Sequence, residues 1–259
     1  MFGDKLRFRF AKTGTLRLLS HHDLMRCLER MLRRAALPFK STAGFHPGPR
    51  VVFALSLPLG VEGLDEVVEI EFLKELDAAE TLAALRAQAP LGLDFTRVSV
   101  VPMRATGTPR RIAYRLPVPD DRADALRERC DEVMAQDKVW VERLRPNPKR
   151  LNIRPYLRTV TVAEGHLVLD LWVTGTGTAR ADELLKLLNA TDLVEAGAVV
   201  ARTTVELRDE VDRTTTDPAD VPPDGPADAL PLDPATVATL TQSHKEDDSP
   251  APALGPVVE

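Results

Sequence analysis

Two stretches of this chain, residues 5–104 and 110–208, run through the same order of hydrophobic periods, and that order limits the fold. In KLRFRFA, residues 5–11, Leu6, Phe8 and Phe10 alternate with Arg7 and Arg9, the period-two pattern of a strand. A helical period follows from His21 to Ala36, then strands at VVFALSL and EVVEIEF, a helix at DAAETLAALRAQA and a strand at LDFTRVSVV. The second stretch has strands at RIAYRLPV and KVWVERL around the helix DRADALRERCDEVMA. It continues with a hairpin in RTVTVAEGHLVLDLWV, the helix ARADELLKLLN and a strand in VVARTTVEL. An extra strand or irregular segment sits around NPKRLNIRPYL. Strand-helix-strand-strand-helix-strand, repeated, predicts an α+β fold of tandem ferredoxin-like (βαββαβ) units with antiparallel sheets, residues 1–106 and 107–208.

Charge separates these units from the C-terminal segment. Residues 1–50 hold 11 Lys and Arg against 3 Asp and Glu, whereas Asp209 to the end holds 2 against 12. The net charge of −5 therefore conceals a basic first half and an acidic end. Residues 209–259, rich in Pro, Asp, Ala and Thr and without an aromatic residue, have too little apolar surface to offset chain entropy. They are expected to form a disordered Pro/Asp-rich tail, an electrostatic competitor for the basic face or a plain solvated segment.

No run approaches the roughly 18 apolar residues of a membrane span, and MFGDKLRFRFAK opens without a secretory leader. A cytoplasmic protein with no membrane partner is expected. Cys27 and Cys130 are too few for a disulfide framework or a cysteine-based metal centre.

The helix that begins at His21 carries most of the functional signal. Ser20 is suited to cap it, with Asp23 completing a capping box. Leu24, Leu28, Met31, Leu32 and Ala35 form one face, Arg26, Arg30, Arg33 and Arg34 the other, and Pro38 ends it. Four arginines in nine residues, offset only by Glu29, fit a solvated face or a polyanion contact.

His21 and His22 fall at the first helical positions, where orphan N–H groups and the helix dipole favour neutral imidazole. His21 with Asp23, or with His46 of the following loop, is thus a candidate acid/base or metal-assisted pair. No HExxH or C-x-x-C pattern completes a metal site, and none is assigned. Lys12, Gly14 and Arg17 beside the helix start suit a phosphate, although both nucleotide-binding glycine motifs are absent.

The loop GFHPGPR, residues 44–50, is held compact by its glycines and prolines. Phe45 is expected to plug the core in preference to serving as a base-stacking platform, and Arg50 opens the next strand. In KRLNIRPYLR, residues 149–158, Lys149, Arg150, Arg154 and Arg158 form a second basic element. The anion- or RNA-binding candidates are thus Lys12, Arg17, Arg26, Arg30, Arg33, Arg50, Lys149, Arg150 and Arg154.

The ordered motifs R-F-R-F-A-K-T-G, L-L-S-H-H-D-L, R-R-A-A-L-P, G-F-H-P-G-P-R, L-P-L-G-V-E and K-R-L-N-I-R-P-Y-L span most of residues 5–208. This combination resembles the bacterial radical-SAM-linked, or radical-SAM-associated, proteins, a domain of unknown function. His21, Asp23, Gly44, Phe45, Pro47, Pro49 and Arg50 match that pattern, whereas His22, His46, Gly48 and Asn152 depart from it. The resemblance implies a separate radical SAM enzyme as partner, which would bring S-adenosylmethionine and an iron–sulfur cluster. Two cysteines cannot build the C-x-x-x-C-x-x-C signature, so no cofactor is expected in this chain.

Three functions are open at the level of sequence. The favoured one is an accessory or substrate-binding module acting with a radical SAM enzyme, with RNA as an anionic substrate. The second is an enzyme using His21, Asp23 and His46. The third is a structural interaction module with solvated arginines.

Overall fold

The computed structural model describes residues 3–45, 47–144, 147–211, 228–233 and 236–237. In the first half, β1 (Lys5–Lys12) lies between β3 (Glu62–Glu71) and β4 (Leu93–Val101), antiparallel to both, and β2 (Val51–Phe53) pairs with the outer side of β3. Helices α1 (His21–Arg34) and α2 (Ala78–Arg86) make the crossovers. The second half repeats the arrangement. There β5 (Pro109–Pro117) lies between β9 (His166–Trp172) and β10 (Ala201–Leu207), with β8 (Leu157–Ala163) on β9. Its crossovers are α3 (Asp120–Met134) and the pair α4 (Ala181–Leu187) and α5 (Thr191–Glu195). The fold is mixed α+β, and both pairing orders are compatible with ferredoxin-like units.

A short parallel contact joins the halves. Ala201 pairs with Glu62 and Arg202 with Gly63, so β3 and β10 merge both units into one eight-stranded sheet. A side chain at Gly63 would put its Cβ 2.5 Å from Glu66 Cγ, so glycine leaves room for the Glu66 side chain that pairs with Arg202 of β10.

Each half buries its own core. Leu6, Phe8 and Phe10 meet Leu24, Leu28, Met31 and Leu32 of α1 and Val68, Ile70 and Phe95 of the sheet. Ile112, Tyr114, Leu116, Leu126, Cys130, Leu169 and Val205 belong to the second core, which Val67 of β3 joins from the face opposite Val68.

Two sequence readings need correction in detail. KVWVERL does not supply the second strand of the repeat. Its β6 (Trp140–Arg143) pairs instead with β7 (Lys149–Asn152) in a separate small sheet, and β8 takes the expected place. The arginine side of β1 is also covered, with Arg7 and Arg9 both buried. Arg7 donates to Glu69 at 2.8 Å and to Asp209 at 2.6 Å, and Arg9 to Asp65 at 2.5 Å and to the Val205 carbonyl at 2.7 Å. Glu210 pairs with both arginines.

Asp209 and Glu210 therefore have fixed partners, although they open the segment expected to be disordered. In the same segment β11 (Ala229–Pro231) adds antiparallel to the open edge of β7, and Asp228 meets Lys138 at 2.8 Å. Buried cations and an unpaired strand edge supply the free energy that composition alone lacks. The remainder of that segment lies outside the described residues. No helix among the described residues is long and apolar enough to cross a membrane.

Candidate functional site

A five-residue 3-10 turn, Gly14–Leu18, leads from β1 into α1 and sets the position of the basic helix. It is tied to the start of β3 by Gly14 N–H donating to Glu62 at 2.8 Å, and to the turn before that strand by Gly60 N–H donating to the Arg17 carbonyl at 2.9 Å. Lys12 is buried, and its ammonium donates to the Leu19 carbonyl at 2.8 Å. Burial pushes its pKa down against the pull of Glu66. Lys12 thus holds the turn in place and does not face solvent with the other cations.

Ser20 caps α1 as expected: its hydroxyl accepts from Asp23 N–H at 3.2 Å and donates to Asp23 Oδ2 at 2.6 Å. That bond, followed by the neighbouring Arg26, holds the Asp23 carboxyl below its usual range. His21 is exposed, its ring edge-on to Phe53 at 5.0 Å between centroids. The structure thus gives Asp23 a capping partner in Ser20 and gives His21 an aromatic neighbour. His46 lies outside the described residues. Among the described residues, no three His, Cys, Asp or Glu side chains gather as a metal ion would need.

Because Leu24, Leu28, Met31 and Leu32 are buried, Arg26, Arg30, Arg33 and Arg34 of α1 are all exposed. Asp23 reaches Arg26 at 3.4 Å, and Glu29 pairs with Arg33 at 2.8 Å. Arg33 also lies over Phe39, 5.3 Å from its centroid. Exposed pairs of this kind are weak and salt-sensitive, so they leave the guanidinium groups open to stronger anions. Arg50, also exposed, lies 3.4 Å from Glu71.

The second basic element divides. Arg154 donates to the carbonyls of Met134, Gln136 and Leu157, a structural clasp. Arg150 is exposed and stacks on Trp140 at 5.1 Å, with Lys138 also facing the ring at 5.9 Å; Lys149 is half-buried on β7. Phe45 does not plug the core and is fully exposed at the tip of its loop. The Thr42 N–H to Gly48 carbonyl bond and the Ser41–Pro49 bridge close the base of this loop.

Sequence reasoning missed a cleft of about 800 Å³ at the seam of the two halves. The first half lines it with Arg17, Leu18, Leu55 and Leu59, and the second with Tyr114, Arg180, Leu185 and Arg202. Arg202, only 1% exposed, donates through Nε to Glu66 Oε1 at 2.8 Å and to the carbonyls of Leu55 and Ser56. Burial opposes the charge on Arg202, but the Glu66 carboxylate overrides it and raises its pKa. Of the nine anion candidates, Arg17 alone lines the cleft.

The family model described as "Uncharacterized protein conserved in bacteria (DUF2344)" matches residues 5–183, more than half of the chain. The chain belongs to this family. Among curated proteins no match is found. In this DUF2344 member the matched region takes in the first half whole, the small β6–β7 sheet and the start of α4. Both walls of the seam cleft therefore draw on family residues.

Proposed function

We propose that this DUF2344 protein is an accessory, substrate-binding module that works with a separate radical SAM enzyme and holds an anionic substrate, of which RNA is the leading class. The observation that carries this reading is the exposed arginine face of α1, backed by a helix side packed into the core. Such a face is rigidly presented, and its cations have only surface partners to exchange for phosphate. The motif resemblance supports the partner, which would supply S-adenosylmethionine and the cluster. Within this chain Cys130 is buried with its thiol pushed up to about 11, and Cys27 is half-buried with its thiol also raised by burial.

The test is a tagged pull-down of the full chain from native lysate, with and without nuclease, followed by titration with tRNA and bulk RNA at two salt concentrations. Recovery of an iron–sulfur protein that survives nuclease, together with salt-dependent RNA binding, supports the reading. Absent or salt-insensitive binding removes RNA from it.

A further inference from the structure

The seam cleft is a separate matter from the arginine face, and its lining has its own chemistry. Most of its wall is aliphatic, with Leu18 and Leu59 exposed at 60% and 67% and Leu185 buried. About 800 Å³ lies within the several-hundred-Å³ range of sites that enclose a small organic molecule. Two large leucines left in water beside such a space are a cost that an apolar ligand would relieve.

The polar groups fall into two sets. Arg202 is saturated by Glu66 and two carbonyls, and the Tyr114 hydroxyl lies against it. Burial raises the Tyr114 pKa, so the phenol stays a neutral hydroxyl. Arg17 and Arg180 differ. Among the described residues neither guanidinium has a carboxylate within ion-pair distance, and Arg17 donates only to the Gly14 carbonyl at 3.0 Å. Asp182, exposed on the same wall, offsets one of the two charges. An apolar space bordered by two cations and one anion, a net of one positive charge, is complementary to a molecule with an apolar body and a single negative charge.

We infer that the seam cleft is a binding site for a singly anionic amphipathic organic molecule, its apolar body against Leu18, Leu59 and Leu185 and its anionic head held by Arg17 and Arg180. Neither the partner enzyme nor RNA enters this inference. Because each half supplies one arginine, such a ligand also bridges the two units.

The test uses the full chain with anilinonaphthalene sulfonate, an aromatic body with one sulfonate, followed by fluorescence. Saturable binding at one site per chain is expected, with displacement by decanoate and about tenfold weaker displacement by decanol, which lacks the charge. Arg180→Gln should weaken dye and decanoate binding about tenfold. Leu59→Asp, at a position exposed enough to leave folding unaffected, should weaken both by repulsion. Arg26→Gln with Arg33→Gln should leave them unchanged, which separates this site from the RNA face. Unsaturable dye binding, equal displacement by decanol, or unchanged affinity in both Arg180→Gln and Leu59→Asp would overturn the assignment.

Discussion

Arg202 of β10 and Glu66 of β3 form a buried two-point ion pair across the seam, with Nε 2.8 Å from Oε1 and both side chains at 3% exposure or less. Removing one partner leaves the other charged and unpaired in the interior, which typically costs about 3–5 kcal/mol. Arg202→Ala and Glu66→Ala should each lower stability by about that amount, read from urea denaturation midpoints. Replacing both at once with Met should cost much less, because no orphan charge remains.

The helix end after α1 offers a change of opposite sign. Ala36 takes a φ of 51°, and the Ala36 and Leu37 N–H groups close the helix onto the Arg33 and Leu32 carbonyls. A left-handed backbone at a non-glycine residue costs roughly 1 kcal/mol. Ala36→Gly should therefore raise thermal stability by up to about 1 kcal/mol, with Ala36 exposed and no contact to lose.

Much of this was legible in the residues, and the gaps have physical causes. The alternation of Leu6, Phe8 and Phe10, and the spacing of Leu24, Leu28, Met31 and Leu32, report local geometry that packing then used unchanged. Arg7 and Arg9 read as a polar side because their partners Asp209 and Glu210 lie some 200 residues away. Period two identifies β6 as a strand but carries no information on its partner, so its placement in the main sheet was open to error. The seam cleft joins residues from both halves and has no local motif. Its one trace was Arg17, picked out by its basic neighbourhood and not by the leucines around it.

The Arg7–Asp209 contact predicts a pH effect. The Arg7 hydrogen bond holds the Asp209 carboxyl below its usual range. Its folded pKa is depressed, so its stabilisation is present above the ordinary Asp value of about 3.9 and is lost as pH falls through the folded value. Urea midpoints of the parent and Asp209→Asn should differ above about pH 4 and converge at lower pH. With Asp209 at 43% side-chain exposure, the difference should stay below about 1 kcal/mol.

The RNA reading has a quantitative consequence. If Arg26, Arg30 and Arg33 each meet one phosphate, replacing all three with Gln should flatten the slope of log K against log salt by about 2 on single-stranded RNA. Circular dichroism should be unchanged, since none of the three is buried. An unchanged slope would place the contact elsewhere, with Arg150 beside Trp140 as the next basic group to test.

Phe45 offers the clearest separation of folding from recognition. A fully exposed phenyl ring on a loop tip stabilises nothing around it, and the Ser41–Pro49 bridge closes the base of that loop. Phe45→Ala should therefore leave the thermal midpoint within about 0.5 kcal/mol of the parent, the usual range for surface changes. A partner enzyme that docks on this loop would bury the ring, and burying one phenyl group is worth about 2 kcal/mol. Phe45→Ala should then weaken capture of that partner about thirtyfold, while RNA affinity and dye binding at the seam stay as they were. Measured together on one variant, these four quantities assign the loop: loss of stability makes Phe45 structural, loss of RNA affinity makes it a stacking platform, and loss of partner alone makes it a docking residue.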